Sequence, residues 1–151
     1  MESESLELLE LMYSLPPIKV INTNRYGYTT EYEEDHFGLK QGRLIEKDHR
    51  GNMISEAFYK DDKRNGIHTR WDYDYMAYKL TDSYENVPAV VRERANYTNG
   101  TLDGLYEKFY DSGTPHKRMT YMSGKIVGRI QVWDKEGNVQ EDWEYPLEFP
   151  F

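Results

Sequence analysis

Apolar and polar residues alternate along most of this chain, and glycine punctuates the alternation. Residues 105–110, Leu-Tyr-Glu-Lys-Phe-Tyr, are rich in aromatics and bounded by Gly104 and Gly113, which predicts a half-buried strand. Asp111-Ser112-Gly113 reads as a tight turn, because Gly adopts a left-handed backbone at no steric cost. Thr114 to Tyr121 is then the return strand, so 104–121 is one β-hairpin. Residues 3–15 follow a different period. Leu8, Leu11, Met12 and Leu15 fall at i, i+3, i+4 and i+7 and predict a short helix, capped by Ser3 or Ser5 and stopped by Pro16-Pro17.

The hairpin pattern recurs. Tyr97, Gly100, Gly104, Phe109, Gly113 and Tyr121 return 24 residues on as Tyr121, Gly124, Gly128, Trp133, Gly137 and Tyr145. A fainter copy runs through 38–84, where Gly38, Gly42 and Gly51 share the spacing of Gly100, Gly104 and Gly113, and Tyr59, Gly66 and Trp71 fit the same frame. Residues 18–35, with Ile18, Val20 and Ile21, look like a degenerate opening unit. An isolated hairpin is marginal in water, so successive hairpins must share one continuous face. The period slips once, since Gly66 to Gly104 is 38 residues. The extra stretch falls near 84–96, where Asn86, Pro88 and the run Ala89 to Ala95 predict a short helical insertion. The expected organisation is a helix and proline stop at 1–17, an array at 18–145 and an aromatic, proline-containing tail at 146–151.

Side chains two apart on a strand share a face. Counting from each Gly places Trp71, Phe109 and Trp133 in one buried aromatic ladder with Tyr59, Tyr121 and Tyr145. The same count leaves Tyr106, Tyr110, Ile130 and Val132 on the outer surface as a candidate partner site. Leu8 and Leu11 of the helix, and Phe149 and Phe151 of the tail, either cap the sheet or dock onto a partner.

Composition narrows the function. Only 38% of residues are hydrophobic, yet 14 are Tyr, which suits a thin tyrosine-faced sheet better than a thick core. A net charge of −8 with no basic run argues against nucleic acid and against anionic membrane. With no cysteine and no leader-like or membrane-spanning stretch, the expectation is a soluble cytoplasmic or intracellular protein. The four histidines are scattered without zinc spacing, and neither a nucleophile elbow nor a phosphate-binding loop occurs. Glu31, Glu33, Glu34, Asp35 and His36 read as a solvated acidic loop. Neither an enzymatic role nor a metal or cofactor is expected.

The order Tyr-x-x-Gly-x-x-x-Gly, an aromatic five residues later and Gly four beyond it, resembles the variant MORN repeat. It is best seen in Tyr97, Gly100, Gly104, Phe109 and Gly113 and again in Tyr121, Gly124, Gly128, Trp133 and Gly137. The resemblance covers 97–145 well and 38–84 in part. It implies a mainly β fold, an elongated antiparallel sheet of consecutive hairpins that serves as a scaffold for other proteins, including as part of an assembled particle. It also implies two alternatives: a peripheral binder of phosphoinositide membranes, or an antitoxin-like binder of one partner protein. A homo-oligomer is compatible with all three.

Overall fold

The computed structural model describes residues 2–73 and 87–146. A helix, α1 (Glu2–Ser14), precedes strands β1 (Ile18–Thr23), β2 (Thr29–Glu34), β3 (Lys40–Lys47), β4 (Met53–Lys60), β5 (Lys63–Arg64), β6 (Gly66–Tyr73), β7 (Ala89–Thr98), β8 (Thr101–Phe109), β9 (Pro115–Met122), β10 (Lys125–Trp133) and β11 (Val139–Tyr145). All belong to one antiparallel sheet in sequence order, with the two-residue β5 attached to β4. The protein is mainly β, an antiparallel sheet of consecutive hairpins with one short N-terminal helix. The order β1-β2-β3-β4-β6-β7-β8-β9-β10-β11 is linear, so among the described residues β1 and β11 are its two unpaired edges.

Each end of the strands has its own turn chemistry. On one side lie five-residue turns at 24–28, 48–52, 110–114 and 134–138, and 35–39 has the same form on the opposite side. In each, the fourth residue is Gly with φ between +79° and +87°. Asn24, Asp35, Asp48 and Asp134 open four of them, and each side-chain Oδ1 accepts from the amides two and four residues on, as Arg50 and Asn52 donate to Asp48 at 2.9 Å. The other side is closed by two-residue turns at Asp61-Asp62, Asn99-Gly100 and Ser123-Gly124, whose residues all have positive φ. Positive φ at both positions matches the twist of an antiparallel hairpin.

These small turns are tied to the preceding hairpin. The amides of Asp62, Gly100 and Gly124 donate to the carbonyls of Lys40, Arg64 and Leu102 at 3.1, 2.8 and 2.7 Å. The amides of Asp61, Asn99 and Ser123 donate to the side-chain oxygens of Gln41, Asn65 and Asp103. Neighbouring hairpins are thus stitched by the same two hydrogen bonds at each of these three junctions. Val127 occupies the next position in the series, where it offers no side-chain acceptor.

The repeat glycines within strands face tyrosine. The register sets Gly42 opposite Tyr59, Gly66 opposite Tyr97, Gly104 opposite Tyr121 and Gly128 opposite Tyr145. These glycines also have positive φ, from +67° to +125°. A Cβ built on Gly104 would stand 3.1 Å from Asn96 Cβ, and one on Gly66 would stand 3.2 Å from Phe58 Cβ.

Residues 89–96 are not helical. They form β7, paired with β6 on one side and β8 on the other. Val90 and Val91 are β-branched and favour the extended backbone, and two full ladders outweigh a weak capping signal. Tyr73 pairs directly with Ala89, so the extra residues of the longer period lie in the connection between β6 and β7. The remainder of the expected insertion, at 84–86, and Phe149 and Phe151 of the tail fall outside the described residues.

Candidate partner-binding surfaces

Directly opposed residues share a face, so the register identifies both sides of the sheet. On the first face, a row crosses every repeat two residues beyond the Gly position: Leu44, Ala57, His68, Ala95, Tyr106, Met119, Ile130 and Trp143. It holds the five buried apolar residues found among the described residues, with Ala95 fully buried and Ala57 only 3% exposed. This row is the core.

Its composition overturns the expected partner surface. Tyr106 lies opposite Met119, and Ile130 is buried at 7% exposure, while Tyr110 and Val132 are half-buried. Tyr110 stacks on His116 with ring centroids 4.4 Å apart and donates to the Trp133 carbonyl at 2.8 Å. These residues pack the sheet and do not form an outer patch. Trp71, Phe109 and Trp133 share a face with each other, but it is the second face, away from Tyr59, Tyr121 and Tyr145. Beside Trp71, Phe109 and Trp133 each closing strand takes one extra residue just after its turn, at Arg92, His116 and Gln140. Counting by two along one strand gives the partner strand's face correctly only where no bulge intervenes.

One segment of the core row is polar. Ser55 Oγ and His68 Nε2 are 3.3 Å apart, and both residues are buried. Burial holds His68 below the usual imidazole range, assisted by Arg64 and Arg70 and opposed by Glu93 and Glu46. Tyr106 donates to Glu93 at 3.0 Å, and its phenol is pushed up to about 12, first by burial and then by the Glu93 charge. Among the described residues, no group of three His, Asp or Glu side chains is placed to hold a metal.

The second face is ionic. Glu107, 8% exposed, accepts from Arg118 at 2.9 Å and stands 3.7 Å from Arg94, so arginines of both flanking strands clamp it. Arg129 bonds Asp142, and Arg43 bonds Glu56 at the equivalent positions of an earlier hairpin. Arg118 also lies over the Trp133 ring, 5.9 Å from its centroid. Near β1 a hollow of about 290 Å³ is lined by Lys19, Glu31, Tyr32, Glu33, Arg43 and Ile45. Within the acidic stretch, Glu31 is paired with Lys47 at 2.6 Å, and Asp35 accepts from Gln41, Phe37 and Leu39.

Most of the exposed large apolar residues lie towards the two ends of the array, although Phe58, Ile67, Leu105 and Met122 are exposed on interior strands. On α1, Leu8 and Leu11 are 59% and 56% exposed, and Leu6 and Leu9 are exposed too, as is Leu15 just beyond it. No strand packs extensively on α1, which is held near its C-terminus. There Tyr13 meets Phe37 at 5.0 Å between ring centroids, and His36 bonds the Pro16 carbonyl at 3.1 Å. At the other end every residue of β11 is exposed, including Val139, Trp143 and Tyr145. The exposure of whole edge strands was not legible in the sequence, because edge and interior strands carry the same alternation.

No described helix is long and apolar enough to cross a membrane. Compared with known family models, curated proteins and solved structures, the chain matches none.

Proposed function

We propose that this protein is a non-catalytic repeat scaffold of the MORN type that binds other proteins, and that α1 is its docking element. The observation behind this reading is the helix itself. A helix of 13 residues is marginal alone, and its leucines lie exposed instead of seated on the sheet. An amphipathic helix with a free apolar stripe is the form that a groove on a partner accepts. Its Glu7 and Glu10 lie off that stripe and Glu4 heads it, so the helix is acidic, which favours a protein groove over an anionic membrane.

The test is crosslinking and affinity capture with the full chain and with Leu8→Glu/Leu11→Glu. The reading expects one or a few defined proteins bound by the parent and lost from the variant, with the sheet's far-ultraviolet spectrum unchanged. Flotation with phosphoinositide vesicles in a salt-sensitive manner would replace the scaffold reading with the membrane one.

A further inference from the structure

We propose that the β11 edge receives the β1 edge of a second copy, so that the array continues head to tail between molecules. This goes beyond the scaffold reading, because it needs no foreign partner.

Strands alternate in type along the sheet, with β1, β3, β6, β8 and β10 opening hairpins and β2, β4, β7, β9 and β11 closing them. Inside the sheet a closing strand is always followed by an opening one, as at β2–β3, β4–β6, β7–β8 and β9–β10. Among the described residues β11 is a closing strand with no opening strand paired beyond it, and β1 is an opening strand with no closing strand paired before it. A second copy supplies the missing neighbour at each end.

The internal junctions also fix the register. Arg94 faces Glu107 and Arg118 faces Gln131, each pairing the same two repeat positions. The five-residue turns at 24–28 and 134–138 align β1 with β10. Carried across the joint, that register sets Asp142 beside Ile21, Trp143 beside Val20 and Glu144 beside Lys19 of the second copy. Trp143 is 46% exposed and ends the buried first-face row, while Val20 stands at the start of the same row. The joint closes that row over Trp143 and brings an acid to a lysine. A bare edge of unpaired amides and carbonyls bearing an exposed Trp, Tyr and Val is the kind that recruits another strand.

Two further features fit. β1 is preceded by Pro16-Pro17 and α1, not by a two-residue turn, so it lacks the turn amides that Gln41, Asn65 and Asp103 serve inside the sheet. It therefore demands nothing from Val127. Because the contact is heterologous, growth continues past a dimer unless the rotation closes a ring.

Sedimentation velocity over concentrations on the order of 1–500 µM tests this. One variant disables the tail, Val139→Lys/Trp143→Lys, and another disables the head, Lys19→Glu/Ile21→Lys. All four residues are exposed, and circular dichroism checks that the sheet persists. The wild type should assemble beyond a dimer, and each variant alone should raise the midpoint concentration at least tenfold. An equimolar mixture of the two variants retains one sound joint and should stop at a 1:1 pair. A wild type that stays monomeric throughout overturns the proposal. So does association lost with the tail variant but kept with the head variant, which indicates β11 pairing with β11 or another strand. Capture of a partner by strictly monomeric protein would defeat this inference and leave the scaffold reading intact.

Discussion

The two faces of the sheet solve the same problem in opposite ways. No second layer covers either face among the described residues, so each must shield itself with side chains from adjacent strands. The first face does so with small and apolar groups set in one row, from Leu44 through Ala95 to Ile130. The second does so with arginine stems and the carboxylates they hold, centred on Glu107. Apolar packing is intolerant of added volume or charge, whereas an ion pair open to water contributes little. The fold should therefore depend on the first face far more than on the second.

The largest expected effect comes from charging the first face. Ala95 is fully buried with His68 and Tyr106 opposite it on the two flanking strands. Ala95→Glu places an uncompensated carboxylate there and should cost about 3–5 kcal/mol, read from the urea midpoint. On the second face, Glu107→Gln keeps the shape and removes the charge between Arg94 and Arg118. Both arginines are more than 40% exposed, so the loss should be about 1 kcal/mol or less. Equal losses for the two variants would erase the contrast between the faces.

A smaller effect comes from acid. His68 is held below its ordinary value, so the unfolded chain binds a proton that the folded protein resists. Stability should fall as pH drops through about 6.5, and His68→Gln should flatten that part of the curve. At lower pH a second loss follows from the turns. Burial acts to raise the Asp48 carboxyl, but the Asn52 side chain and the amides of Asn52 and Arg50 outweigh it and hold the group low. Its contribution is present above its unfolded value and disappears as pH falls through the folded one, so Asp48→Asn should flatten the acid limb below about pH 4. Asn24 already fills the equivalent position with an amide, which is why the turn itself should survive.

Much of this arrangement was legible in the chain. The 24-residue spacing located the hairpins, and Gly113 and Gly137 located their turns. The parity of the faces was not, because a bulge adds a residue to one strand only and reverses the count for everything beyond it. Met119 and Tyr121 thereby stand with Tyr106, and Phe109 stands with Glu107. One signal was available: Arg43 and Arg129 occupy the same repeat position, and so do Glu56 and Asp142, which marks an ionic row at those offsets. The expected helix at 89–96 failed for a different reason. Ala89 and Ala95 suit a helix locally, but pairing with strands on both sides, one of them distant in sequence, decides the conformation, and no local window contains that information.

The ladder between β6 and β7 runs from Tyr73–Ala89 to Gly66–Tyr97, with a bulge placed as in the hairpin of β10 and β11, although fifteen residues, 74–88, separate the two strands where that hairpin uses five. Lengthening such a closure threefold costs only about 1 kcal/mol, which the flanking strands readily absorb. Spacer length and strand alignment are therefore independent variables at this corner of the molecule. It is where an evolving or engineered chain can accept foreign sequence, or be opened to new termini, without disturbing the order of the strands.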